Sequence, residues 1–196
     1  MEIKFLKAGT GDSILVQHKS YNIIIDGGND SKYLLPEVDN IYSKGQSIDL
    51  LIITHHDDDH IKGIINLLNY IDENGYNQHL SFIKTVIFNS PRKILGQLQE
   101  NNENHLSYKQ AYDVEELLTK NHPDWTRYTE ESESLNFDDL VIDILSPKAE
   151  DLEKYGVQKG AYLTGDFKCD WNSSMDRLER YIDDSSIDKS ISNKSS

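Results

Sequence analysis

The segment that most narrows what this chain can fold into is Asp49-Leu50-Leu51-Ile52-Ile53, an apolar run that opens directly onto Thr54-His55-His56-Asp57-Asp58-Asp59-His60. A strand with no polar alternation is buried on both faces, and such strands belong to sheets covered by helices. The residues beyond His60 read as an amphipathic helix. Ile61, Ile64, Ile65, Leu68 and Ile71 recur on one side between Ile61 and Asp72, and Gly75 marks the stop. Three acids and three histidines in six consecutive positions therefore sit between an interior strand and a helix. A rigid scaffold holds such a loop in place, and functional side chains gather there.

A second apolar run, Tyr21-Asn22-Ile23-Ile24-Ile25, reads as another interior strand and stops at Asp26-Gly27-Gly28-Asn29-Asp30. Residues 2–6 alternate polar and apolar as a strand does, and after the turn Ala8-Gly9-Thr10-Gly11-Asp12 residues 13–17 form another. Tyr33, Leu34, Val38, Ile41 and Tyr42 lie near helical spacing within 31–44, with Pro36 as an early interruption. A strand is expected at 84–88, helices near 91–99 and 107–120, and a last strand over Leu140–Leu145, closed by Ser146-Pro147. Residues 172–183 read as a further helix behind a packing anchor, Trp171. The Ser-, Asp- and Lys-rich stretch 184–196 reads as a flexible tail. Hairpins followed by alternating strands and helices predict one α/β layered domain over residues 1–183. A chain of 196 residues is long enough for such a domain to remove roughly 70% of its unfolded surface from water.

The net charge of −14 excludes an open, non-specific grip on nucleic acid, which needs clustered Lys and Arg. A bound cation could still receive a phosphate locally. Cys169 is the single cysteine, so no internal disulfide forms and a reducing compartment is expected. The N-terminus lacks the apolar core of a signal peptide, and no run approaches the ~20 apolar residues of a membrane span. A cytoplasmic protein with no membrane association is the expectation.

The groups at 55, 57, 59 and 60 would repel one another or stay poorly solvated unless a cation compensated them. Imidazole with carboxylate suits zinc, and an oxygen-rich set also suits manganese or iron. The competing reading is a solvated acidic loop whose histidines cap the helix, with Asp59 serving the helix start. Capping accounts for one or two acids, whereas six such residues stand in a row. Histidines 18, 79, 105 and 122 are scattered over polar segments and read as surface residues, His122 being the nearest to a substitute ligand. Tyr108, Tyr112 and Tyr128 read as half-buried on helix faces rather than as a base-stacking groove, and Glu130-Glu131-Ser132-Glu133 as an exposed acidic loop.

Thr54-His55-x-Asp57-x-Asp59-His60-x-x-Gly63 resembles the metal signature of the metallo-β-lactamase superfamily, in the form with Asp where His is more common at position 57. That form is similar to the hydrolase domain of ComEC-type DNA-uptake proteins. Gly11-Asp12-Ser13-Ile14-Leu15-Val16 resembles that group's first hairpin, and Ile23-Ile24-Ile25-Asp26-Gly27-Gly28 its apolar strand ending in Asp-Gly-Gly. The likeness covers residues 1–75 and implies the αββα layering of that superfamily. It implies that His55 and Asp57 serve one metal site and Asp59 and His60 another, with Asp26 beneath them orienting a ligand. Asp12 reads either as a wall of the site or as turn chemistry. His56 and Asp58, the spacers, are expected to alternate outward into solvent along an extended loop. The chemistry implied is metal-assisted hydrolysis, in which two cations lower the pKa of a water that attacks a phosphodiester or ester-like bond. Asp59 would both bind metal and orient that water, and so is the candidate catalytic residue.

The resemblance weakens downstream. The family's bridging Asp follows a strand, and Tyr162-Leu163-Thr164-Gly165-Asp166 offers one, but no histidine follows residue 122. In the preferred alignment Leu145-Ser146-Pro147 is the family's strand end. Ser190-Ile191-Ser192-Asn193-Lys194-Ser195-Ser196 then leads into the strand that would carry the bridging Asp. The chain is then the N-terminal half of the fold, a truncated or split homologue: its four ligands can hold one zinc with water completing the shell, whereas two filled sites need ligands that a partner would supply. Uncovered apolar strands in such a half predict that it dimerises or is marginally stable.

Overall fold

The computed structural model describes residues 1–77, 81–90, 106–121 and 125–152. Strands β1 (Glu2–Phe5), β2 (Ile14–His18) and β3 (Tyr21–Ile25) lead through a 3-10 turn (Ser31–Tyr33) into helix α1 (Leu34–Ser43). Then come β4 (Ile48–Ile53), α2 (Asp58–Glu73), β5 (Ile83–Phe88) and α3 (Leu106–Asn121), and after them the short strands β6 (Leu135–Phe137) and β7 (Leu140–Ile142). Five strands form one sheet in chain order, β1-β2-β3-β4-β5, while β6 and β7 form a two-stranded sheet of their own. The β1–β2 and β2–β3 pairs are antiparallel; β3–β4 and β4–β5 are parallel, each bridged by one helix. This is the expected α/β arrangement.

The register explains the burial. Leu15, Ile24, Leu51 and Val86 stand side by side across β2 to β5, and all four lie in one core with Val38 and Ile41 of α1, Ile61, Ile64 and Leu68 of α2, and Val114 and Leu118 of α3. The opposite parity, Ile23 and Leu50, is fully buried as well, as the apolar runs predict. Edge strand β1 differs: Ile3 is 48% and Phe5 78% exposed. Asp39 of α1 accepts hydroxyl hydrogen bonds from Tyr70 (2.8 Å) and Tyr76 (2.7 Å), which fastens α1 to the far end of α2.

Several expectations need correction. Pro36 does not interrupt α1. It lies in the first turn, where its missing N–H has no intrahelical partner to lose. Helix α2 begins at Asp58, three residues before the apolar periodicity, because Asp57, Asp58 and Asp59 suit a helix N-terminus. The last strand covers Leu140–Ile142 rather than running on to Leu145, and its central Val141 is 52% exposed, so no buried face prolongs it. His18 is not on the open surface: its side chain is 13% exposed and its Nε2 lies 2.7 Å from Asp139 Oδ1.

Compactness divides the described residues into two units, those of Met1–Tyr128 with Leu135–Val141, and those of Thr129–Ser134 with 142–152. The helices expected at 91–99 and 172–183, the tail 184–196, and His79, His105, His122, Asp166, Cys169 and Trp171 lie outside the described residues. No helix among the described residues is long and apolar enough to cross a membrane.

Candidate metal centre

The site is built at the carboxyl ends of β3 and β4. Asp26, the residue after β3, is buried and adopts φ 55°, a left-handed conformation that Asp tolerates better than most side chains. Its N–H donates to Ile52 O at 2.9 Å, Gly27 N–H to His60 O at 2.9 Å, and Gly63 N–H to Gly28 O at 2.7 Å. The first ties the end of β3 to β4, and the other two press the first turns of α2 against it. Such an approach requires two small residues, since a Cβ on Gly63 would collide with Gly27 O and one on Gly27 with Gly63. From the other side Gly11, at φ 78°, lies against the Asp59 carbonyl, where no larger residue fits.

Asp26 orients both histidines of the expected ligand set. His60 Nδ1 lies 2.9 Å from Asp26 Oδ2; an ionised carboxylate only accepts, so Nδ1 carries the proton and Nε2 is turned outward. Thr54 O–H donates to the same oxygen at 2.5 Å and Thr54 N–H donates to Oδ1 at 2.9 Å. With its proton committed there, Thr54 Oγ1 accepts from His55 Nδ1 at 2.9 Å, which likewise leaves His55 Nε2 with its lone pair. One buried carboxylate thus fixes His60 directly and His55 through a hydroxyl.

Around the two Nε2 atoms stand Asp57 and Asp59. His55 Nε2 is 3.6 Å from Asp57 Oδ2, His60 Nε2 is 3.9 Å from Asp59 Oδ1, and the two imidazole centroids are 3.8 Å apart. Ligand atoms of His55, Asp57 and Asp59 lie within 4.8 Å of one another, as do those of Asp26, His55 and His60. The 3.6 and 3.9 Å separations exceed a hydrogen bond and sit near the spacing, about 3.4 Å, that two donors of a four-coordinate zinc keep. Asp57 is the N-cap of α2, yet its side chain makes no capping bond. The plain capping role is therefore not the one its carboxylate performs. Asp26 has both oxygens engaged by Thr54 and His60, which suits it to hold ligands rather than to act as one. His55 with Asp57 and Asp59 thus offers a donor group whose chemistry suits a divalent cation, and His60 Nε2 stands beside it, 3.9 Å from Asp59 Oδ1.

Protonation follows the same layout. Burial, then the neighbouring His60, pushes His55 below the ordinary imidazole value and favours its neutral, donor-ready form. The hydrogen bond to Asp26 holds His60 above the ordinary value. A cation at Nε2 would compete with that proton.

The spacers depart from expectation. His56 and Asp58 are both half-buried, because Asp58 and Asp59 belong to a helical turn and not to an extended loop with outward alternation. Burial lowers the His56 pKa, and Asp58 Oδ1 accepts from Gln110 Nε2 of α3. Asp12 is exposed, though close enough that its charge favours the His60 proton. Sequence reasoning assigned no role to Thr54, whose position before the first histidine was the available signal. It had none for Gln110, which comes from a helix 52 residues away.

Residues 6–80 match the model of the metallo-beta-lactamase superfamily, a stretch that contains every residue of this site from Asp12 to His60. No curated protein matches the sequence. Solved structures similar to the chain include the metallo-beta-lactamase SMB-1 in complex with mercaptoacetic acid (16% identity, TM-score 0.41, covering 73% of this chain and 49% of that one). MEM-A1, a subclass B3 metallo-beta-lactamase from a soil metagenome library, is similar at 19% identity and TM-score 0.39, over 71% of this chain and 47% of that one. AidC, a dizinc quorum-quenching lactonase in complex with a product, is similar at 16% identity and TM-score 0.34, over 62% of this chain and 44% of that one. The chain spans about half the length of these structures.

Proposed function

We propose that this chain is a metal-dependent hydrolase of the metallo-β-lactamase superfamily, with His55, Asp57, Asp59 and His60 as its cation ligands, zinc first among the candidates. The observation that carries the reading is the pair of outward Nε2 atoms, fixed by Asp26 directly or through Thr54, beside the carboxylates of Asp57, which makes no capping bond, and Asp59. When bound, a divalent cation there supplies Lewis acidity and lowers the pKa of a coordinated water. The chain's own part is to hold the ligands in place beforehand. Asp26 and Thr54 keep both imidazoles in the donor tautomer, the buried base under the site excludes water from below, and the half-exposed Asp59 orients an incoming water. A phosphodiester or similar ester is the proposed substrate class, from the ComEC-like spacing of the motif, and a reducing, cytoplasmic setting from the lone Cys169.

The test is a titration of chelator-stripped protein with zinc, manganese and iron(II), followed by assay on a generic aryl phosphodiester. At least one cation is expected to bind, and Asp59→Asn is expected to lower turnover about 100-fold while the fold is kept. Tight binding without turnover would instead support a non-catalytic homologue, or a half-enzyme awaiting further ligands from a partner or a second copy. Failure to bind zinc, manganese or iron would refute the proposal.

A further inference from the structure

Asp58 stands between two expected ligands, Asp57 and Asp59, and carries the same carboxylate within the same turn. The motif's spacing marks Asp58 as a spacer, but the outward alternation expected to turn it away does not exist in a helical turn. The tertiary structure does separate them. Gln110 Nε2, from the start of α3, donates to Asp58 Oδ1 at 2.5 Å, so Asp58 is bound to the neighbouring helix. Gln110 is well placed to hold it, because Ala111, Val114 and Leu118 of the same helix are fully buried in the core that contains Ile61, Ile64 and Leu68 of α2.

The chemistry of the amide makes the contact directional. Gln110 Oε1 is buried with no hydrogen-bond partner among the described residues, so the amide is oriented by its NH2 end alone. Turning it over would set a carbonyl oxygen against a carboxylate, which repels. We infer that Gln110 is a positioning residue that withdraws Asp58 from the cation site and so decides that Asp57 and Asp59, and not Asp58, serve as its carboxylate ligands. The inference rests on the metal-centre reading above and adds the device that selects its donors.

Removal of the donor frees a third carboxylate next to the site. The test uses the full chain loaded with cobalt(II), whose visible spectrum reports the ligand set, together with zinc affinity from competition with a chromophoric chelator. Gln110→Ala is expected to change the cobalt spectrum and to weaken zinc binding about tenfold, the lower end of the range for residues behind metal ligands. Asp58→Asn, whose amide oxygen can still accept from Gln110, is expected to keep the wild-type spectrum and affinity. The double variant, Gln110→Ala with Asp58→Asn, is expected to regain the wild-type spectrum, because no competing carboxylate is left. A Gln110→Ala spectrum identical to wild type overturns the inference, and so does a double variant that stays as altered as the single one. Wild-type protein that binds neither cobalt nor zinc overturns this inference and the metal-centre reading together, whereas failure confined to the variants leaves that reading standing.

Discussion

At the scale of single residues, Asp26 is the position on which the site turns. Its carboxylate accepts from Thr54 N–H, Thr54 O–H and His60 Nδ1, and its own N–H is tied to β4. Asp26→Asn places an amide where three donors converge, and at least one of them must lose its partner. Zinc affinity at pH 8 is expected to fall about 10- to 100-fold, read by chelator competition. The same contact sets the pH dependence. His60 keeps its proton to higher pH than an ordinary imidazole, so zinc binding in the wild type should weaken as pH falls through that raised value, with proton release on binding. Without the carboxylate the His60 pKa drops, and the weakening in Asp26→Asn should begin at lower pH. Coincident pH profiles in calorimetric titrations of the two proteins would contradict this account. The site was legible in the sequence as a set of residue types and spacings, from His55 to His60 with Asp26 at a distance. Which atom of each histidine faces outward was not, because that depends on hydrogen bonds from Thr54 and Asp26.

At the scale of elements, the contact between the end of β3 and the first turns of α2 positions everything above it. Gly63 is helical and its backbone conformation is open to any residue, so a Gly63→Ala substitution tests the approach alone. The added methyl would collide with Gly27 O, at a cost of about 1–3 kcal/mol, as overpacked sites show. Denaturant midpoints check this, and a neutral or stabilising Gly63→Ala would mean that the helix can lift without loss. Leu51, at the centre of the buried row across the sheet, is expected to cost about 2–5 kcal/mol on replacement by Ala. The β6–β7 turn behaves differently. Asp139 is held well below the usual carboxylate range, first by Lys19 and then by His18. A depressed carboxylate contributes stability above its unfolded pKa, about 3.9, and loses it as pH falls. Protection of the amides in Leu135–Phe137, taken relative to their intrinsic exchange rates, should therefore fall below about pH 4 in the wild type, and Asp139→Asn should show the reduced protection already at neutral pH.

At the scale of the whole molecule, the net charge of −14 works against compaction. Raising ionic strength from about 0.01 M to 0.15 M shortens the screening length from about 30 Å to 8 Å and should raise the melting temperature. A saturating cation at the site should raise it further, by about 2.7 kcal/mol of stability at a hundredfold excess over its Kd. The two effects separate in Asp59→Asn, which should keep the salt response and lose most of the zinc response in the same thermal scans. A zinc response as large in the variant as in the wild type would place the cation elsewhere on the acidic surface.

By itself the sequence determined the interior strands, since Ile23–Ile25 and Leu50–Ile53 have nowhere to go but a doubly covered sheet, and it determined that a crowd of acids and imidazoles would stand at the end of one of them. Local chemistry suffices for both, because burial and charge density can be read residue by residue. The tertiary structure decided where α2 begins, that Pro36 falls harmlessly in a first turn, that His18 is enclosed, and that Asp58 turns toward α3. Each of these depends on a partner far along the chain or on a helix end whose stability comes from packing, and no pattern of neighbours encodes it.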